Sequence, residues 1–293
     1  MRVVMAVVAF ASISASPLRA QAPKVWTPQE LFTRNIGTRE QQDRAFPPHK
    51  MIGNIYYVGT ETLAAFLIAT PQGHLLVNSM YERNWPVIQN SIEQLGFKPA
   101  DIKIVLGSHA HADHMEADAL VKEATGAQVM AMAEDVPALQ AMRPGGKAHP
   151  IDRVLHDGDT VTLGGTTLVA HLTPGHTKGC TTWTMKAQDA GRSYDVVIIG
   201  SMGVNPGTRL VGNANNPAIA EEYIQGFKVM RSLKVDVPLG SHPGMYNMAD
   251  KHAKLAAGGA NAYIDPKGYT AEIDLVEGTF KAVLEEQRKA AQQ

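Results

Sequence analysis

Four metal-ligating side chains fall within six residues in the run His109-Ala110-His111-Ala112-Asp113-His114. Side chains two apart on an extended backbone point the same way, so His109 and His111 can reach one ion together. Asp113 and His114, at the turn into a helix, point elsewhere and can serve a second ion. Imidazole nitrogen with one carboxylate oxygen is a donor set suited to zinc. The other use of Asp113 is a helix cap with Glu116 three residues on, which leaves the neighbouring histidines unexplained. His176, in Thr173-Pro174-Gly175-His176-Thr177, and His242, in Gly240-Ser241-His242-Pro243-Gly244, each stand just past an expected strand. They are the candidates to complete the two donor sets. His49, His74, His149, His156, His171 and His252 read as ordinary residues, with His171 hydrogen-bonding inside a strand.

These groups need a scaffold that brings three strand ends to one rim. Ile55–Val58, Leu63–Ala69 and Leu75–Val77 are expected strands, the last two joined by a turn at Pro71-Gln72-Gly73. Pro86 opens a helix with Trp85, Ile88, Ile92 and Leu95 on one face, stopped by Gly96. Ile102–Leu106 is a buried-type strand, followed by a helix through Ala117, Leu120, Val121 and Ala124. The second half repeats the rhythm: a hairpin of Thr160–Leu163 and Thr166–Leu172, a strand Val196–Gly200, a helix Pro217–Leu233 and a strand Val235–Gly240. A last helix is expected from a cap at Thr270, with Ile273, Val276, Phe280 and Val283 on one side. Strands in groups with helices between them, twice over, predict an α/β fold, a four-layer αββα sandwich formed by one domain. Gln21 to Lys50 reads as a polar lead-in that, with residues 137–155, borders the site.

The chain has 293 residues, 27 Lys+Arg against 28 Asp+Glu, and 44% hydrophobic residues, enough for a large core and too apolar for disorder. Balanced charge without a basic run argues against nucleic acid as a partner. One cysteine, Cys180, excludes an internal disulfide framework and a thiolate-rich zinc cluster. Arg2, the apolar run Val3–Ala11 and the small residues to Ala20 have the order of a secretory signal peptide. The expectation is a leader over residues 1–20, a single catalytic domain over 21–293, no membrane span, and a periplasmic protein.

With these residues in view, the chain resembles the metallo-β-lactamase superfamily, whose H-x-H-x-D-H motif stands as His109 to His114. It is most similar to class B, subclass 3 β-lactamases, through Gly53-Asn54-Ile55-Tyr56-Tyr57-Val58-Gly59, the stretch Gly175-His176-Thr177 to Trp183, Arg209-Leu210-Val211-Gly212-Asn213, and His242-Pro243-Gly244. The resemblance runs from about Trp26 to the C-terminal helix. It implies two zinc ions, one held by His109, His111 and His176, the other by Asp113, His114 and His242. Glyoxalase II and lactonases of the superfamily carry a metal-bridging Asp where this chain has Ser201 after Gly200. The first two β-lactamase subclasses place a Cys ligand in that region, and none is present.

The resemblance therefore implies a monomeric hydrolase acting on a small-molecule β-lactam, with a metal-bridging hydroxide and no covalent enzyme intermediate. Asp113 would orient the hydroxide. Ser201 would donate a hydrogen bond to the substrate carboxylate, or cap the loop instead. Three departures are expected to bear on efficiency and range. Asn78 replaces a supporting Asp and is expected to weaken metal affinity, Glu116-Ala117 replaces Gly-Gly, and Gly203 replaces a second serine. Lys178, where Pro is common, is expected on the surface. The alternatives are a lactonase or thioesterase of the same superfamily, and a metal-binding protein without turnover.

Overall fold

Residues 24–293 are described by a computed structural model, and the expected leader, residues 1–20, lies outside the described residues. Short-turn antiparallel pairing gives way to crossovers partway through the first sheet, and that change creates the ledge on which the site is built. The sheet runs in chain order through β1 (His49–Ile52), β2 (Ile55–Tyr57), β3 (Phe66–Thr70), β4 (Gly73–Val77), β5 (Ile102–Leu106), β6 (Gln128–Met132) and β7 (Arg153–Leu155). The pairs up to β3·β4 are antiparallel; β4 through β7 are parallel. Parallel neighbours need long connections, and helices fill them.

The helices of the described residues are α1 (Pro28–Ile36), α2 (Arg39–Asp43), α3 (Trp85–Gln94), α4 (Ala112–Met115), α5 (Asp118–Thr125), α6 (Val136–Ala141), α7 (Ile219–Ser232), α8 (Met248–Ala256) and α9 (Pro266–Ala290). The second sheet comprises β8 (Thr160–Leu163), β9 (Thr166–Leu172), β10 (Thr181–Asp189), β11 (Arg192–Ile199) and β12 (Val237–Gly240), in the spatial order β12-β11-β10-β9-β8. Because β10 is antiparallel to both β9 and β11, and β12 is parallel to β11, the strands β9, β11 and β12 all run one way. Their C-terminal ends share an edge.

Strand alternation sorts the side chains between layers. Phe66, Ile68, Leu75, Val77 and Leu106 face Leu168, Ala170, Trp183 and Met185 of the second sheet in one core. On the other face of the first sheet, Leu67, Leu76, Val105 and Val129 pack with Trp85, Ile88, Ile92 and Val121 of α3 and α5. Tyr223 and Phe227 of α7 and Ile273, Val276 and Phe280 of α9 cover the second sheet from outside. The expected αββα order of layers is present, and each fully buried aliphatic or aromatic side chain contributes about 1.5–3 kcal/mol to holding it.

The strands β5, β8 and β9 occupy the residues expected of them. Other segments differ. The lead-in holds two helices, each with a reciprocal cap: Thr27 with Glu30 for α1, and Thr38 with Gln41 for α2. β10 and α8 were not expected. The C-terminal helix starts at Pro266 and is capped by Asp265, which accepts from the Gly268 N–H at 2.9 Å. Thr270 lies inside that helix and its hydroxyl bonds the Pro266 carbonyl instead.

Candidate metal centre

The first ligand loop is shaped by its neighbours before any ion is considered. Gly107 follows β5 where a Cβ would lie 2.2 Å from the Met115 sulfur, so glycine lets the loop lie against α4 without displacing the Met115 side chain. Ser108 N–H donates to Asn78 Oδ1 at 2.9 Å, and Trp183 Nε1–H donates to the Gly107 carbonyl at 3.0 Å. Asn78 and Met80 both hold left-handed backbone, φ 66° and 63°. That turn aims the Ser79 and Met80 N–H groups at the His114 carbonyl, 2.9 and 3.1 Å away. The expected weakening at Asn78 meets a different geometry. Its amide hydrogen-bonds to backbone only, accepting from Ser108 and donating to the Ala64 carbonyl at 3.4 Å. Two acceptor oxygens could not make both contacts.

The six expected residues come together as two triads. His109, His111 and His176 stand with ring centroids 4.7–4.9 Å apart. Asp113 lies with His114 and His242, its Oδ2 being 3.1 Å from His114 Nε2 and 3.6 Å from His242 Nε2. Within each triad one ligand atom from every residue lies within 4.8 Å of the others, the spacing of a cage for one ion. The triads adjoin, since the rings of His109 and His114 are 4.1 Å apart.

Several observations fit a divalent metal at these triads. His109 Nε2 and both ring nitrogens of His114 are buried without a hydrogen-bond partner, and the close His114–Asp113 approach lacks hydrogen-bond alignment. Buried polar atoms left unpaired are costly; a cation satisfies them. His176 Nδ1–H donates to the Gly203 carbonyl at 2.7 Å, and His242 Nδ1–H donates to the Thr62 carbonyl at 3.0 Å. A carbonyl only accepts, so these bonds leave each Nε2 with its lone pair free. Burial, then repulsion from neighbouring imidazoles, lowers His176 to about 3 and His242 to about 4 and holds His109 far below its ordinary value. Burial opposes ionisation of Asp113, but His114 and His242 outweigh it and keep the carboxylate charged. Neutral His109, His176 and His242 and an ionised Asp113 are the protonation states a metal requires.

The capping alternative for Asp113 does not hold. His111 stands at the N-cap of α4 without a side-chain bond, and Glu116 accepts from the Glu82 N–H at 3.1 Å. His171 hydrogen-bonds Thr184 at 2.8 Å, away from both triads. Lys178 is exposed.

The lead-in borders the cleft above the triads, as expected, and residues that sequence reasoning missed join it. Leu31, Phe32, Asn35 and Ile36 of α1 form one wall, with Tyr81, Val204 and Asn205 completing the rim beside Ser201 and Gly203. Residues 137–155, expected at this border, do not line it. The spacing Thr27-Pro28-Gln29-Glu30 is the signal that would have found α1. Asp135 was also missed, and nothing in its local sequence marks it. Buried and 3% exposed, it accepts from the Ala110 N–H, the Thr177 hydroxyl and the Gly179 N–H.

A sequence profile of the metallo-β-lactamase superfamily matches residues 60–242. The native FEZ-1 metallo-β-lactamase from Legionella gormanii is 46% identical, with a TM-score of 0.80 over 84% of this chain and 98% of that one. BJP-1, a subclass B3 metallo-β-lactamase of Bradyrhizobium japonicum, is 37% identical, with a TM-score of 0.79 over 86% of this chain and 98% of that one. A hydroxyacylglutathione hydrolase from Cereibacter sphaeroides is 29% identical over 113 residues, 39% of this chain. The match spans about a third of the length of such curated relatives, 35% in that case.

Proposed function

The chain belongs to the metallo-β-lactamase superfamily of hydrolases, and we propose that it is a periplasmic zinc enzyme opening the amide of β-lactam antibiotics. In this reading His109, His111 and His176 hold one zinc, and Asp113, His114 and His242 the other. Bound zinc supplies Lewis acidity and activates water for attack near neutral pH. The chain's own residues do the rest. The carbonyls of Gly203 and Thr62 lock His176 and His242 in the ligating tautomer. The Asp113 carboxylate orients the attacking water, and Ser201 donates a hydrogen bond to the carboxylate of a penicillin, cephalosporin or carbapenem. Leu31, Phe32 and Ile36 exclude bulk water from one side of the ring being opened. No side chain acts as a nucleophile, so no acyl-enzyme forms.

Ser201 carries the choice of substrate. It lines the cleft two residues past β11, where superfamily thioesterases and lactonases are expected to place a bridging carboxylate. The periplasmic setting rests on the expected leader alone. Among the described residues no helix is long and apolar enough to cross a membrane.

The purified chain, assayed in parallel on a penicillin, a cephalosporin and a carbapenem, is expected to hydrolyse all three classes. Activity should stop with a chelator and return with zinc. Hydrolysis of acyl-homoserine lactones or glutathione thioesters with β-lactams left intact would establish the second reading. That reading is favoured by the likeness to hydroxyacylglutathione hydrolases over part of the chain. Two bound zincs without turnover on any of these substrates would indicate a metal-binding protein.

A further inference from the structure

Asp135, just before α6, sits between two histidine-bearing loops and hydrogen-bonds to no imidazole. Its Oδ2 accepts from the Ala110 N–H at 2.8 Å and from Thr177 Oγ1 at 2.9 Å, while Oδ1 accepts from the Gly179 N–H at 2.7 Å. Ala110 lies between His109 and His111, and Thr177 follows His176. One carboxylate therefore joins the backbone on both sides of the three-histidine triad. The other triad is set by different contacts: Thr62 holds His242, and the Ser79–Met80 turn holds the His114 carbonyl. Three donors converge on Asp135, which an amide cannot match, because its NH2 group would face an N–H or O–H donor. The space is closed as well, since a Cβ at Gly179 would come within 2.5–2.7 Å of Asp135 atoms.

We infer that Asp135 is a positioning residue for the three-histidine metal site and not for its neighbour. It fixes the separation between the His109–His111 loop and the His176 loop. It also places a buried negative charge behind a donor set that is itself neutral, whereas the second set contains Asp113. This rests on the two-metal reading above. Outer groups that orient metal ligands typically change affinity by about 10–100-fold.

The test compares the full-length parent with Asp135→Asn and Thr177→Val, by zinc titration against a competing chelator and by native mass spectrometry. A parent that binds fewer than two zincs overturns the two-metal reading itself, not the role of Asp135. With a two-zinc parent, Asp135→Asn is expected to weaken one zinc step by about 10–100-fold, the step that His176→Ala abolishes, and to leave the other nearly unchanged. Because Asp135→Asn strands a buried donor, the metal-free protein is expected to melt lower by roughly 2–10 °C, and the readout is which zinc step weakens. Thr177→Val removes one hydroxyl and should weaken the same step by less, so it tests the inference even where Asp135→Asn fails to fold. Equal weakening of both steps, no weakening of either, or a loss confined to the step that Asp113→Ala abolishes would overturn it.

Discussion

Arg34 of α1 and Glu272 of α9 close a two-pronged ion pair, Nη1 to Oε2 at 2.7 Å and Nη2 to Oε1 at 2.6 Å. The pair pins the helix that walls the cleft to the helix that backs the second sheet. Burial raises the Glu272 carboxyl, and Arg34 opposes that shift. Removing the cation strands a buried carboxylate, which typically costs about 3–5 kcal/mol. Arg34→Leu is therefore expected to lower the unfolding free energy read from urea denaturation by that order and to raise KM, because Leu31, Phe32 and Asn35 move with α1. Glu272→Gln, which leaves no buried anion, should cost less. A KM unchanged in a folded Arg34→Leu protein would show that α1 does not shape the cleft.

His149 and Asp118 form a second buried pair beneath the ligand loop. His149 Nε2 lies 3.0 Å from the Met115 carbonyl and 3.3 Å from Asp118 Oδ2, while Nδ1 lies 3.0 Å from the Pro150 carbonyl. Acceptors at both nitrogens call for the imidazolium. Burial opposes that charge, but Asp118 and the carbonyls outweigh it and raise the pKa of His149. A raised histidine stabilises the fold fully below its unfolded value near 6.5, and that contribution is lost as pH rises through the folded value. The stability gap between the parent and His149→Gln should be widest at about pH 6 and shrink on the alkaline side. Chemical denaturation across pH measures it, and a gap that widens with pH would contradict the assignment.

Ser201 offers a sharper kinetic test. A hydrogen bond to a charged group is worth about 1.5–3 kcal/mol, so Ser201→Ala should lower kcat/KM at least ~10-fold on β-lactams that bear the ring carboxylate. An ester of the same substrate should lose little. Equal losses on acid and ester would assign Ser201 to loop capping instead.

Metal removal should register in stability as well as turnover. A ligand that binds only the folded state stabilises it by RT ln(1 + [L]/Kd), about 4 kcal/mol at 1,000 times Kd. Chelation should therefore lower the melting temperature reversibly, and readdition of zinc should restore it. Identical melting with and without zinc would deny both triads a metal.

The cluster of ligand-type side chains was legible because its logic is local. His109 to His114 carry their ligand spacing in six consecutive residues, and β5, β8 and β9 carry their boundaries in apolar alternation. α1 and β10 were legible in principle, through the Thr27–Glu30 cap and the alternation of Thr181–Asp189, but polar residues mask their periodicity. Asp135, Tyr81 and Asn205 were not legible, because nothing next to them in the chain reports what lies across the cleft.

Sequence alone determined the kind of chemistry, since donor type and spacing within one loop depend on backbone geometry that neighbouring residues dictate. It also determined the layered fold, since which face of each element must be buried follows from its own period. The family resemblance named which distant histidine goes with which triad, but only tertiary structure brings them there, because β9 and β12 deliver His176 and His242 through strand pairing remote in the chain. It likewise decided that α1 forms a wall, because one long-range ion pair and the packing of Leu31 hold it there. Contacts between residues far apart in sequence arise from the packed chain as a whole, and no local pattern encodes them.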